Sequence, residues 1–237
     1  MLVAAAVCPH PPVLVPEMAG EAAPELDALR EACDRAAGLL AGADVLAVVG
    51  GGARTRPYGP DAYASLRPFG LDWTSPPEPG DGAEPLPLSL TIGRWLLERQ
   101  GFAARARYQA VAFDAEPKEC LSLGRELAGA ADRVALLVMG DGSACRSEKA
   151  PGYLDERARP HDEAVARALG TADATALAAL DPGLSRDLQA AGRAAWQVLA
   201  GAAEGSAGLG GELLADDAPY GVGYFVAAWS KPDRGAV

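Results

Sequence analysis

Three short apolar runs, residues 2–7, 44–49 and 134–139, constrain what this chain can fold into more than any other feature. The first and third are uncharged, the second is charged only at Asp44, and each is followed within two residues by Pro or Gly. Runs of this length, apolar on both faces, read as strands buried on both sides, the kind a parallel sheet requires. Between the first two, residues 21–40 place Leu26, Leu29, Cys33, Ala36, Ala37 and Leu40 at steps of three and four. That spacing predicts an amphipathic helix, with Pro24 in its first turn, where no backbone donor is needed. A strand, helix, strand order with the Gly-rich exit Gly50-Gly51-Gly52 is a βαβ unit, which implies a parallel pair and a right-handed crossover.

The remaining pattern extends the same architecture. Residues 88–100 read as a helix stopped by Gly101, 105–113 as a strand and 117–130 as a helix. Further helices are predicted at about 160–169, 173–180 and 183–203, the last two beginning at the caps Thr171 and Asp181. A final strand is expected over 220–227. Residues 54–87, rich in Pro, Gly and Asp, read as an irregular insertion, and 204–211 as a flexible Gly-rich loop. The 237 residues are expected to form one α/β domain, an αβα sandwich around a mostly parallel central sheet.

Composition excludes several classes of partner. A formal net charge of −11 without a Lys/Arg run argues against nucleic acid and against anionic membrane surfaces. No run of about 20 apolar residues could span a bilayer, and the N-terminus lacks a basic leader. Cys8, Cys33, Cys120 and Cys145 show no CxxC spacing and read as buried free thiols, which fits a cytoplasmic setting.

Chemistry is expected where the strands end. Pro9-His10-Pro11-Pro12 stops the first strand and fixes His10, one of only two histidines, at a strand terminus, where open α/β sheets place ligands. The second, His161, follows Pro160 at a helix start and reads as solvated or capping. Gly50-Gly51-Gly52 lacks the Lys-Ser/Thr pair of a phosphate-binding loop, and Thr55 stands where GxGxxG needs its third glycine, so a tight turn is the better reading. Gly140-Asp141-Gly142-Ser143 ends the third run, and Asp216-Asp217-Ala218-Pro219 leads into the last. A triad of His10, Asp141 or Asp217, and Ser143 can be drawn, but no spacing favours it; the same holds for Cys145 as a nucleophile. Arg146, Lys149 and Tyr153 belong to a loop that either is solvated or serves an anionic substrate.

Together these segments resemble the class III extradiol ring-cleavage dioxygenases, in the superfamily of their catalytic subunits, which also includes the Memo-like proteins. The residues that carry the resemblance are Cys-Pro-His-Pro-Pro at 8–12, Val-Val-Gly at 48–50, Met-Gly-Asp-Gly-Ser at 139–143 and Ala-Pro-Tyr-Gly-Val-Gly-Tyr at 218–224. Their order is most similar to that of an uncharacterised actinobacterial branch. The resemblance implies Fe(II) held by two histidines and a glutamate. His10 matches the first histidine, Gly51, Gly52 and Ala53 stand in the neighbourhood of the second, and Asp217, then Asp216, is the choice for the acid. It also implies an acid/base histidine after a Gly-Asp-Leu-Ser-like motif, where this chain has Ala144 after Gly140-Asp141-Gly142-Ser143.

The expectation is therefore a family member with a depleted non-haem iron site. It would lack ordinary catechol cleavage and keep a pocket, formed with Gly51, Gly52, Arg146, Lys149, Tyr153 and Tyr220, for a small molecule or a protein partner. Two alternatives stand beside it. One is a divergent Fe(II)- or other divalent-metal enzyme using His10 with carboxylates, and the other a metal-independent hydrolase or transferase using Asp141 and Ser143. A cofactor-free protein and a homo-oligomer are both compatible with the sequence.

Overall fold

The computed structural model describes residues 1–231. In chain order its strands are β1 (Leu2–Cys8), β2 (Val45–Gly52), β3 (Arg56–Tyr58), β4 (Ala64–Ser65), β5 (Thr74–Ser75), β6 (Ala106–Ala112), β7 (Val134–Met139), β8 (Gly210–Asp217) and β9 (Tyr224–Ser230). The helices are α1 (Pro16–Ala19), α2 (Asp27–Gly38), α3 (Leu88–Arg99), α4 (Pro117–Ala128), α5 (Ala158–Gly170), α6 (Ala174–Ala178), α7 (Pro182–Asp187) and α8 (Arg193–Ala203). Seven strands form one mixed sheet in the order β3-β6-β2-β7-β1-β9-β8, while β4 and β5 form a separate small pair. The parallel centre is β6, β2, β7 and β1; β3, β9 and β8 each run antiparallel to the strand they join.

Both faces of this centre are covered, which is why its strands read as continuous apolar runs. Ala4, Ala6 and Cys8 of β1 pack with Leu29 and Cys33 of α2 and Leu90 of α3 on one face. Ala5 and Val7 pack on the other face with Cys120 of α4, Val165 of α5 and Trp196 of α8. Side chains alternate across a strand, so a single run supplies both layers. The fold is α/β with helices on both sides of the sheet.

Local signals failed at four places. Gly50, Gly51 and Gly52 are not a turn: they are the last residues of β2, paired with Ala110, Val111 and Ala112. The helix expected over 183–203 is two helices, broken where Gln189 takes a left-handed φ of 54°. The cap of α6 is Asp173, whose carboxylate accepts from the Ala176 amide at 2.9 Å, rather than Thr171. Asp181 does cap α7, accepting from Leu184 N at 2.6 Å. Finally β8 occupies 210–217, and the last strand runs over 224–230 rather than 220–227.

The topology positions the site. The C-terminal ends of β1, β2, β6 and β7 share one edge of the sheet because these strands are parallel. The start of β9 and the end of β8 come to that edge because they are antiparallel to their neighbours. Open sheets of this kind leave a crevice outside such strand ends.

Candidate functional site

β1 and β7 are adjacent, with Cys8 opposite Met139, and the Gly140 amide donates to the Cys8 carbonyl at 3.0 Å. This hydrogen bond holds the loops after the two strands together. His10 and Asp141 meet there. The His10 amide donates to Asp141 Oδ1 at 2.8 Å, and the imidazole Nδ1 lies 3.6 Å from the same oxygen. His10 is 6% exposed, and its Nδ1 is buried with no hydrogen-bond partner. Tyr224, at the start of β9, has its phenol pushed well above the ordinary value by burial and then by the Asp141 carboxylate. Trp196 and Gly192 pack against Gly140 from behind, and the Gly192 amide donates to the Asp141 carbonyl at 2.8 Å.

Ser143 belongs to a second constellation, centred on Asp162 of α5. The Ser143 amide donates to Asp162 Oδ1 at 2.9 Å and its hydroxyl to Oδ2 at 2.8 Å. Arg146 Nη1 donates to Oδ2 at 3.0 Å, and His161 Nδ1 lies 3.2 Å from Oδ1. Burial alone would raise the Asp162 carboxyl; hydrogen bonds from His161, Ser143 and Arg146 outweigh it and hold the group below the usual carboxylate range. His161 Nε2 in turn lies 3.4 Å from Ser185 Oγ. Asp162, His161 and Ser185 are all buried. The order carboxylate, imidazole, hydroxyl matches a catalytic relay. However, the carboxylate is already neutralised by Arg146 and the Ser185 residue is only 2% exposed, so the cluster acts as a pin between the β7 loop and α5.

These contacts sort the residues that the sequence singles out. His10 and Asp141 are brought together. Ser143 is fully buried and bonded to Asp162, not to His10. Arg146 joins Ser143 at Asp162, while Lys149 and Tyr153 are exposed further along the loop, Tyr153 with a left-handed φ of 63°. Tyr220 donates its hydroxyl to Glu25 at 3.0 Å, tying the β8–β9 turn to the segment before α2. Asp217 is exposed and accepts from the Ala218 amide at 2.7 Å. Asp216 is exposed as well; its carboxyl is pushed up by desolvation despite Arg146, with Asp162, Asp217 and Glu163 adding to the effect. A Cβ on Gly51 would meet the ring of Phe113, and one on Gly52 would lie 3.0 Å from the Ala110 methyl. Among the described residues no group of three or more His, Cys, Asp or Glu is arranged to hold a metal ion.

The sequence reading missed His161, Asp162 and Ser185. A signal was present: His161 and Asp162 stand four residues before Val165 and Ala166, on the apolar stripe of α5, where a charge must be paired. His161 is buried against Ser185, not solvated or capping.

All four cysteines are free and buried. Cys145 donates weakly to the carbonyls of Gly152 and Leu188, and burial pushes its thiol up, as it does those of Cys33 and Cys120. Native protein treated with iodoacetamide at neutral pH is therefore expected to stay unmodified while the urea-unfolded chain is alkylated at every cysteine. Rapid native labelling at Cys145, read by peptide mass, would restore it as a nucleophile.

No helix among the described residues is long and apolar enough to cross a membrane. No family model matches the chain, and no curated protein matches it. Among solved structures, the chain is similar to an uncharacterized protein, JW3007, from Escherichia coli K12. The two share 14% sequence identity and a TM-score of 0.60, over 96% of this chain and 99% of the other. At that identity the likeness carries the α/β fold over nearly the full length of both chains.

Proposed function

We propose that this chain is a class III extradiol dioxygenase-like protein with a depleted iron site, a binding protein at the strand-end edge rather than a catechol-cleaving enzyme. The observation that supports this reading most directly is the exit of β2. The resemblance calls for a second imidazole there, but Gly51 has no donor, and the Phe113 ring fills the space its side chain would enter. A non-haem iron site needs a facial set of three ligands with open positions. His10 offers one orphaned nitrogen, the nearest carboxylate oxygen already accepts from the His10 amide, and Asp217 is turned into its own backbone. The residues present do not fit that ion. Ala144, in place of the acid/base histidine, separately removes a contribution of roughly 10²–10⁴ in rate.

A second reading rests on the same imidazole. A buried Nδ1 without a partner, 3.6 Å from a carboxylate oxygen, is the start of a weaker divalent-cation site that takes its remaining ligands from solvent or substrate. One experiment separates the two. Untagged protein is equilibrated anaerobically with Fe(II) and, in parallel, Zn(II), desalted, analysed for metal, and then assayed for oxygen uptake on catechol. We expect substoichiometric metal and no uptake. One metal per chain, lost in His10→Ala, establishes the second reading instead, and oxygen uptake by the Fe(II)-treated protein overturns the first outright.

A further inference from the structure

Arg193 stands where a cation is hard to keep. It is 3% exposed and makes no ion pair among the described residues. Its guanidinium donates only to neutral oxygens: Nη1 to the Ala115 carbonyl at 2.5 Å and Gln197 Oε1 at 3.0 Å, and Nη2 to the Phe113 carbonyl at 2.7 Å. The Nε hydrogen and one on Nη2 are left without a protein acceptor. Arginine is almost never fully buried unless paired, because a buried charge without a counter-charge is costly. Its place adds to that cost. Arg193 is the first residue of α8, at the positive end of the helix dipole, and Gly192 before it supplies no side-chain cap.

A cavity of about 370 Å³ lies against this first turn of α8. Arg193 lines it, with Phe113 and Asp114 beyond the end of β6 on one side and Pro182 and Arg186 of α7 on the other. Arg186 and Asp114 are exposed, and neither makes an ion pair among the described residues. Two unpaired guanidiniums thus share the wall with one unpaired carboxylate. The Asp181 cap and the contact of Ser185 with His161 anchor α7, which fixes the far wall. Phe113 and Pro182 contribute apolar surface, and the same Phe113 ring closes the space beside Gly51. The cavity therefore lies next to the exit of β2 but outside it, and neither His10 nor Asp141 lines it. Its volume falls in the range of small-molecule sites, roughly 300–1,000 Å³.

We propose that this cavity is a binding site for a phosphate monoester, whose phosphoryl oxygens meet Arg193 and Arg186 and whose organic body lies against Phe113 and Pro182. A phosphoryl group carries enough oxygens to engage two guanidiniums arriving from different helices, and it supplies the counter-charge that Arg193 lacks beside a helix N-terminus. The two oxygens of a carboxylate suit a single guanidinium fork. Asp114 opposes such a ligand and limits how tightly it is held. The site goes beyond the function proposed above: it uses neither His10 nor a metal, so its failure would leave that reading standing.

The test is calorimetric titration of the full chain, in phosphate-free buffer, with phenyl phosphate, inorganic phosphate and benzoate. Phenyl phosphate is expected to bind saturably at one site per chain, inorganic phosphate more weakly, and benzoate at least about tenfold more weakly than phenyl phosphate. Arg186→Gln removes one charge-assisted contact and should weaken phenyl phosphate by about tenfold or more. Asp114→Asn removes the opposing charge and should tighten it by about threefold. Both residues are exposed on the surface, and circular dichroism confirms that the variants are folded. No saturable binding of phenyl phosphate, benzoate bound as tightly, or an affinity unchanged in both variants overturns the proposal.

Discussion

Replacing Asp162 by alanine is expected to destabilise the protein by about 3–5 kcal/mol, the range for removing one partner of a buried ion pair. Asp162 is 1% exposed and accepts from the Ser143 amide, the Ser143 hydroxyl and Arg146. Without it, Arg146, whose side chain is 15% exposed and whose Nε already lacks a partner, loses its direct ion-pair partner under the β7 loop and keeps only the more distant, exposed Asp216 carboxylate. The surroundings cannot collapse onto the gap, because Gly142 and Gly223 present bare backbone to the carboxylate. Asp162→Asn keeps the size and one acceptor, so its loss should be smaller, roughly 1–3 kcal/mol. The pH dependence has a definite sign. A carboxyl held below its ordinary value stabilises the fold fully above an unfolded pKa of about 3.9, and that stability disappears as pH falls through the lower folded value. Asp162→Asn should therefore flatten the acid limb of the stability curve. Urea unfolding at pH 7 and across the acid limb measures both effects, and a loss under about 1 kcal/mol for Asp162→Ala would show that the cluster is not a structural pin.

Gly124→Ala is expected to destabilise by about 2–3 kcal/mol, against the usual direction of such a change. In an exposed helix interior alanine is favoured over glycine by about 1 kcal/mol. Gly124 of α4, however, faces the backbone of α8, where a Cβ would collide with the Val198 carbonyl and lie 2.6 Å from the Ala202 nitrogen. Gly201 of α8 answers it from the other side, against the backbone of Leu121, whose carbonyl carbon is 2.7 Å from a Cβ there. Backbone atoms cannot rotate away as a side chain can. The helices must separate instead, which loosens Cys120, Val198 and Ala202 where they are packed in the core. Gly201→Ala should behave alike, and the double variant should lose less than the sum, since one separation relieves both clashes. Thermal and urea denaturation of the three variants provides the measurement. A Gly124→Ala protein more stable than wild type would contradict the close crossing of α4 and α8.

The places where sequence reading failed share a cause. Glycine carries no hydropathy, so Gly50-Gly51-Gly52 resembled a turn. Only the neighbours Ser89, Phe113 and Ala110, which come from distant parts of the chain, show that it is strand backbone with other groups packed on it. β8 was missed because an edge strand has no need to be apolar: Glu212, Asp216 and Asp217 are exposed along it. His161 appeared solvated because the helix start beside Pro160 is local, whereas its burial depends on Ser185, which lies 24 residues further on.

By itself the sequence determined the parallel centre of the sheet and its main helices, because burial on both faces forces long uncharged apolar runs and amphipathic periods that are visible in one dimension. It also placed His10 and Asp141 at strand ends. Only the tertiary structure decided what those residues meet: that Asp141 turns to His10, that Ser143 turns to Asp162, and that Phe113 fills the space beside Gly51. Partnerships of this kind depend on strand order and loop direction, which bring together residues far apart in the chain and leave no periodic trace in it.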